Sequence, residues 1–179
     1  MIYLDHAATT PMAEQVAESM RPYYAKEYAN ASSIYEFGDR SREAAEHARS
    51  AIAHSLHAHT REIYFTAGGS ESDNWALKGT AEACREKGRH LITTQIEHHA
   101  VLNTCRYLEK QGYEVTYLPV DGQGFVDVRQ LEAAIRPDTV LISVMFANNE
   151  IGTVEPIAQI GRIARRYGVL FHTDAVQAY

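Results

Sequence analysis

The feature that most constrains the fold is an alternation of short apolar segments and amphipathic segments from residue 62 onward. Five apolar segments have the length and composition of β-strands, at 62–66, 90–94, 114–120, 139–147 and 169–173. Helical patterns at 70–87, 98–111, 127–136 and 156–167 separate them, and three of these helices are followed by a glycine, a common helix end. The pattern predicts an α/β fold with a mostly parallel sheet and helices on both faces.

The first sixty residues follow a different pattern. Thr10-Pro11 predicts the start of a short helix, since proline is favoured at the first helical position, and Pro22 is expected to interrupt or end it. Residues 40–57 predict a longer helix with an apolar stripe of mostly alanines. We therefore expect an N-terminal helical arm, residues 1–60, that packs on a sheet domain formed by residues 61–179.

Composition argues against several classes of partner. The formal net charge of −6 argues against a dedicated nucleic-acid surface, and no apolar run approaches the length of a membrane span. The N-terminus MIYLDHAATT lacks the architecture of a signal peptide. The two cysteines, Cys84 and Cys105, are too few for a disulfide framework and read as inert core thiols. These features predict a cytoplasmic protein with no nucleic-acid or membrane partner.

Compact polar groups follow four of the five predicted strands. They are AGGS at 67–70, EHH at 97–99, NNE at 148–150 and DAVQ at 174–177, whereas the strand at 114–120 ends in a plain turn. The carboxyl ends of parallel strands meet at one edge of an open sheet, where such sheets bind ligands. The sequence therefore predicts a ligand site at this edge.

Two of these groups suggest opposite charges on the ligand. Gly69 and Ser70 lead into a predicted helix, whose free N–H groups can bind an anion. The alternative is a simple helix cap, because Ser70 and Asp73 have capping-box spacing. Asp174, at the tip of an apolar strand, needs a cation or strong donor such as a protonated ring nitrogen. Its alternative role is to cap a helix at 175–179.

The other two groups offer a ring and two amides. His98 could stack on a flat ligand or relay protons, although it could also be an ordinary residue at the start of a helix. Asn149 and Gln177 can donate hydrogen bonds to a ligand oxygen, although each alone is more often a turn or surface residue.

Five segments together resemble the cysteine desulfurases, which belong to the class V aminotransferase group of pyridoxal-phosphate (PLP) enzymes: YLDHAATTP, FTAGGSESDN, EHHAV, NNEIGTVEPI and HTDAVQA. They stand in the family's order and approximate spacing from Tyr3 to the last residue. The resemblance implies the aspartate-aminotransferase-like fold, fold type I of the PLP-dependent transferases. Residues 61–179 would then form a truncated, incomplete PLP-binding large domain.

The resemblance also implies roles for the polar groups. Family members seat the cofactor phosphate on a Gly-[Thr/Ser] turn, here Gly69 and Ser70, and stack a histidine, here His98, on the ring. An aspartate, here Asp174, pairs with the ring nitrogen and keeps the ring an electron sink.

Two amides complete the implied PLP contacts, with Asn149 and Gln177 holding the phenolic oxygen. We expect no metal ion at this site.

The implied function is that of the N-terminal part of a cysteine desulfurase. Such enzymes convert L-cysteine to L-alanine and pass sulfur on as a persulfide for iron–sulfur cluster or thio-cofactor assembly. Family chains carry, beyond the DAVQA segment, a Ser/Ala-x-His-Lys motif with the Schiff-base lysine, a mobile-loop cysteine and a substrate-binding arginine. None of these motifs occurs in the 179 residues, so we expect no activity alone and weak or absent PLP binding.

The resemblance further implies an incomplete sheet. The family sheet has seven strands and this chain supplies five, so the segment 62–66 loses its neighbour and 169–173 becomes an edge. Exposed edges favour pairing with other chains. We expect a homo-oligomer such as a homodimer, a domain swap, a complementary C-terminal half, or rearrangement of 62–66 to pair elsewhere. An iron–sulfur scaffold or another sulfur acceptor protein is the further partner implied.

Three alternatives remain at this stage. The chain could be part of a selenocysteine lyase or another class V aminotransferase, because the substrate-selecting residues are not among these 179. It could be a non-catalytic binding or assembly fragment. It could also be a metal hydrolase that uses either Glu97, His98 and His99 or the histidines at 54, 57 and 59.

Overall fold

The computed structural model describes residues 2–179, which divide into two compact units: one ends at Phe65 and the other is Thr66–Tyr179. In the first unit, helix α1 is Glu14–Ala25 and helix α2 is Glu36–Ser55, followed by a 3-10 helix at Thr60–Glu62. The second unit contains four strands and four helices: α3 Gly69–Ala83, β1 His90–Thr94, α4 His99–Lys110, β2 Glu114–Leu118, α5 Val128–Ala133, β3 Thr139–Ser143, α6 Ile157–Tyr167 and β4 Leu170–His172.

The four strands form one parallel sheet in the order β2-β1-β3-β4. Alternate residues of the central strands face opposite sides. Leu91 and Leu141 pack in the core formed with α3 and α4, whereas Ile92 and Ile142 pack in the core formed with α5 and α6. The prediction of a parallel sheet with helices on both faces is therefore confirmed.

The predicted strand at 62–66 is wrong. A 3-10 turn at Thr60–Glu62 is followed by extended backbone at Ile63. Arg49 of α2 holds this segment from the same unit, since its guanidinium donates to the Ile63 carbonyl and lies over the Phe65 ring, 4.8 Å from the centroid. A strand needs a neighbour to satisfy its backbone groups, and no described strand lies beside this one. Rearrangement of 62–66 into another strand pair is therefore also wrong.

Two helix predictions near the N-terminus also differ from the structure. Helix α1 begins at Glu14 rather than at Pro11, and it runs through Pro22 to Ala25. The Pro22 carbonyl still accepts hydrogen bonds from the N–H groups of Lys26 and Glu27, at 2.9 and 3.0 Å. Proline removes only its own N–H, so a short continuation past it retains its later hydrogen bonds.

Gly88 has a role different from the predicted helix cap. Helix α3 already ends at Ala83, whereas α6 does end at Gly168 in the left-handed conformation, as predicted. A Cβ on Gly88 would overlap the backbone carbonyl of Asp138. That carbonyl also accepts the N–H of His90 at 3.1 Å, so the close approach lies where β1 begins beside β3.

None of the described helices combines the length and the apolarity needed to cross a lipid bilayer.

Gly88→Ala is expected to destabilise the chain by about 1–3 kcal/mol, the usual cost of overpacking. The added methyl group would push the Asp138 carbonyl away from His90. Gly122→Ala is the matched control, because a Cβ there meets nothing within 4 Å. Urea unfolding measures both changes, and equal stability of the two variants would contradict this account of Gly88.

Candidate functional site

The candidate site lies at the carboxyl edge of the sheet, where the strand ends stay aligned. Beyond β3, the N–H groups of Val144 and Phe146 donate to the carbonyls of His172 and Asp174, at 3.1 and 2.8 Å. This continued alignment places the segment after β3 directly beside the segment after β4. Two of the polar groups identified in the sequence are therefore adjacent.

The start of α3 also reaches this edge. A Cβ on Gly69 would lie 2.6 Å from Cγ2 of Val176, so only glycine allows this approach. Val176 lies between Asp174 and Gln177. The contact therefore sets the beginning of α3 against the segment that carries both predicted ligand-binding residues.

The α3 N-terminus keeps two donors available. The N–H groups of Glu71 and Ser72 donate to the Gly68 carbonyl, at 3.1 and 3.2 Å. Those of Gly69 and Ser70 have no acceptor within residues 2–179. A helix N-terminus with free amides is suited to an anion.

The alternative assignment of Ser70 as a helix cap is wrong. The N-cap is Gly68, and no side chain caps the helix. The Ser70 side chain is exposed, and its hydroxyl makes no hydrogen bond within the described residues. It therefore remains available to a ligand.

Asp174 is buried, with 8% of its surface exposed. Its Oδ1 accepts the N–H of Val176 at 3.0 Å, which closes a single turn rather than the helix expected at 175–179. No lysine or arginine of residues 2–179 forms an ion pair with it. Asp174 thus remains a buried carboxyl group that needs a cationic partner.

His98 is the N-cap of α4, and its Nδ1 accepts the N–H of Ala100 at 3.1 Å. Its ring is exposed. His98 shares with Ser70 an open cleft of about 420 Å³ between α3 and α4. Lys78 and His99 also line this cleft and no carboxylate does, so the cleft offers hydrogen-bond donors and basic groups.

Asn149 and Gln177 make no side-chain hydrogen bond in the part of the chain that the structure describes. Asn148 instead holds the loop after β3. Its Oδ1 accepts the N–H groups of Glu150 and Ile151, at 2.9 and 3.1 Å. The neighbouring amide of Asn149 is therefore not needed for the loop itself.

The sequence analysis missed a buried pair beneath this edge. Asp73 of α3 is 4% exposed, and its Oδ1 lies 3.5 Å from Nε2 of His172 on β4. The other nitrogen, Nδ1, lies 2.9 Å from the Ser143 hydroxyl. Local sequence shows Asp73 only as a possible capping residue and His172 only as a strand residue, so neither gives a signal of this contact.

Burial sets the protonation of this pair. Burial, together with the smaller effect of the Asp174 charge, raises the pKa of Asp73 to about 7. Burial lowers the pKa of His172, against the opposing effect of Asp174. Burial therefore favours the neutral forms of both side chains.

The described residues contain no group of three histidine, cysteine or acidic side chains arranged to hold a metal ion. The metal-hydrolase alternative therefore has no centre within residues 2–179. Cys105 is buried on the core side of α4, and burial raises the pKa of its thiol to about 12, which suits an inert core residue.

Asp73→Asn is expected to flatten the decrease of stability with rising pH. The pKa of Asp73 rises from 3.8 to about 7 on folding, so the folded state binds the proton more tightly. Wild type should therefore lose about 1.4 kcal/mol per pH unit from this group between about pH 4 and 7. Urea unfolding at pH 5 and pH 7 measures the loss.

The lowered pKa of His172 makes stability rise with pH, opposite to the effect of Asp73. Because wild type and Asp73→Asn both contain His172, the difference between their pH dependences reports Asp73. Glu86→Gln removes an exposed carboxylate and serves as the control. The same pH dependence in Asp73→Asn as in wild type would contradict the assignment.

Comparison with known proteins identifies a matching family and several similar proteins. The aminotransferase class-V family model matches residues 2–179. Cysteine desulfurase IscS of Methanosarcina thermophila is 58% identical, over 99% of this chain and 44% of that protein. Putative cysteine desulfurase IscS 1 of Bacillus subtilis is 52% identical, over 99% and 47%. The chain thus spans about half the length of these curated relatives.

Solved structures of similar proteins also match this chain, again over about half of their own length. The structure of SspA in complex with cysteine matches with a TM-score of 0.97 and 46% identity, over 100% of this chain and 52% of that one. DndA from Streptomyces lividans matches with a TM-score of 0.87 and 38% identity, over 99% and 50%.

Proposed function

The chain belongs to the aminotransferase class V family, and on this premise we propose that it forms one part of the cofactor site of a PLP-dependent cysteine desulfurase. The family is PLP-dependent. The observation that carries the proposal is the contact of Gly69 with Val176, because it sets two free helix amides beside a buried aspartate.

The residues fit the two charges of the cofactor. The free N–H groups of Gly69 and Ser70, with the Ser70 hydroxyl, suit a phosphate. Asp174 suits the protonated ring nitrogen, because it is buried without an ion-pair partner among residues 2–179. The negative phosphate and the positive ring nitrogen of the cofactor would therefore each have a complementary group in this chain.

Three further side chains suit the rest of the ring. The exposed imidazole of His98 can cover one face, and the amides of Asn149 and Gln177 can hold the phenolic oxygen. When bound, the cofactor supplies an electron sink for bond cleavage at the substrate α-carbon or β-carbon. In this arrangement Asp174 keeps the proton on the ring nitrogen, and His98 orients the ring.

L-Cysteine is the substrate we propose for the complete enzyme, since the curated relatives are cysteine desulfurases and one related structure holds cysteine. Its sulfur would pass to an iron–sulfur scaffold or another acceptor protein. The lysines of this chain are at 26, 78, 87 and 110, and none lies in the Ser-x-His-Lys context of the family. The 179 residues therefore need a second polypeptide segment or subunit for activity.

We further propose residues 61–179 as the PLP-binding domain, residues 1–60 as its arm, and a homo-oligomeric cytoplasmic protein. The two free cysteines, Cys84 and Cys105, are compatible with a reducing compartment.

Asp174→Asn is expected to weaken binding of pyridoxine 5′-phosphate by the 179-residue chain at least about tenfold, through loss of a buried charge pair. This ligand lacks the aldehyde of PLP and so avoids reaction with surface lysines. Equilibrium dialysis gives the affinity.

Asp127→Asn is the control, because asparagine preserves that cap of α5 while removing a carboxylate. Absent binding in wild type, or equal affinity in wild type and Asp174→Asn, would contradict the proposed cofactor site.

Alanine formation from L-cysteine is expected only when this chain is combined with the C-terminal half of a relative such as the Methanosarcina thermophila protein. Mixtures are assayed with PLP, with L-selenocysteine as the competing substrate. Asp174→Asn should abolish the reaction. A mixture that binds PLP but turns over only L-selenocysteine would favour the lyase alternative, and a folded mixture that turns over neither would favour a binding fragment.

A further inference from the structure

Glu97 ties together the two loops that carry His98 and Asn149. Its Oε1 accepts the Thr94 hydroxyl at 2.7 Å and the N–H of Met145 at 3.0 Å. The first bond closes the turn after β1, and the second joins that turn to the segment after β3.

A second link lies beside the first. Nδ2 of Asn148 donates to the Ile96 carbonyl at 2.9 Å. The residue after Ile96 is Glu97, and the residue after Asn148 is Asn149. Two side-chain bonds between the same pair of loops therefore fix the separation of His98 from Asn149.

The second oxygen of Glu97 has no partner. The side chain is 4% exposed, and Oε2 is buried with no hydrogen bond among the described residues. The groups that act electrostatically on Glu97 are Asp174 after β4 and Glu155 before α6, and Cys105 of α4 also faces it. All three are acids, so none of them stabilises a charge on Glu97.

We propose that Glu97, in its neutral form, is a positioning residue that holds His98 and Asn149 at the spacing the ligand requires, and that ionisation of Glu97 loosens this arrangement. The inference rests on the proposed cofactor site, which it deepens by adding a proton-dependent control. Glu97 does not itself contact the ligand.

The physical reason is the environment of Oε2. Burial raises the pKa of Glu97 to about 7, although the bonds from Thr94 and Met145 lower it. Below that pH the neutral group accepts both bonds through Oε1. Above it, a negative charge on Oε2 faces Asp174 and Glu155 without a donor, so the loops must separate to admit water.

Three variants of the 179-residue chain test this. Glu97→Gln keeps the Oε1 acceptor and cannot ionise, whereas Glu97→Ala removes the acceptor. Glu155→Gln is the control, since Glu155 is a buried carboxyl group that accepts the N–H of Val126 and touches neither loop bond. Should Glu97→Ala fail to fold, Thr94→Val, which removes one donor, replaces it.

The first measurement needs no ligand. Nuclear magnetic resonance follows the Met145 amide and the His98 ring between pH 5.5 and 8.5. The Met145 amide should titrate near pH 7 in wild type, at a slightly lower pH in Glu155→Gln, where one neighbouring acid is removed, and not in Glu97→Gln. Its exchange protection should fall in Glu97→Ala. An unchanged Met145 amide and His98 ring in Glu97→Ala, or the same titration in Glu97→Gln, would overturn the proposal.

The second measurement is the affinity for pyridoxine 5′-phosphate at pH 6 and pH 8. We expect a loss of about tenfold in Glu97→Ala and wild-type affinity in Glu97→Gln at pH 6, because only the former leaves buried donors unpaired. If Glu97 had only a structural role as a carboxylate, Glu97→Gln would not restore wild-type affinity for the ligand. If wild type binds no ligand, the proposed function fails, and the resonance data still decide the role of Glu97.

Discussion

The parallel pairing of β1 with β3 is the interaction on which the site depends. Both strands are fully buried, and their alternate residues face two separate cores. The pairing brings the turn with Glu97 and His98 beside the loop with Asn148 and Asn149. On the other side of β3, backbone bonds from Val144 and Phe146 add the Asp174 segment. The positions of His98, Asn149 and Asp174 follow from these strand neighbours, whereas Gly69 and Ser70 are placed by the close approach of α3 to Val176.

The same edge concentrates buried acidic groups. Asp73, Glu97, Glu155 and Asp174 are each at most 8% exposed, and none forms an ion pair with a lysine or arginine of residues 2–179. Burial raises the pKa of the first three. Neutralising those three side chains reduces the repulsion, and a cationic ligand beside Asp174 would reduce it further.

Glycine at position 69 connects this electrostatic site to the helix dipole. Its missing side chain lets Val176 approach, so the positive end of α3 lies near a buried carboxyl group. The proposed site, with an anion-binding end and a cation-binding end, would select ligands that carry both charges.

Much of the fold and the site could be predicted from the sequence. Alternating apolar and amphipathic segments determined the parallel sheet and the helix order, because strand period and turn chemistry are local properties. The polar residues after four of the five predicted strands identified Gly69, Ser70, His98, Asn149, Asp174 and Gln177 as candidates. Only the tertiary structure decided that 62–66 forms no strand, that Gly88 serves a close contact, and that Asp73 meets His172 while Glu97 meets Met145. Those outcomes depend on which distant residue lies alongside, and neither an unpaired strand edge nor a contact between residues 48 or 99 positions apart leaves a local pattern.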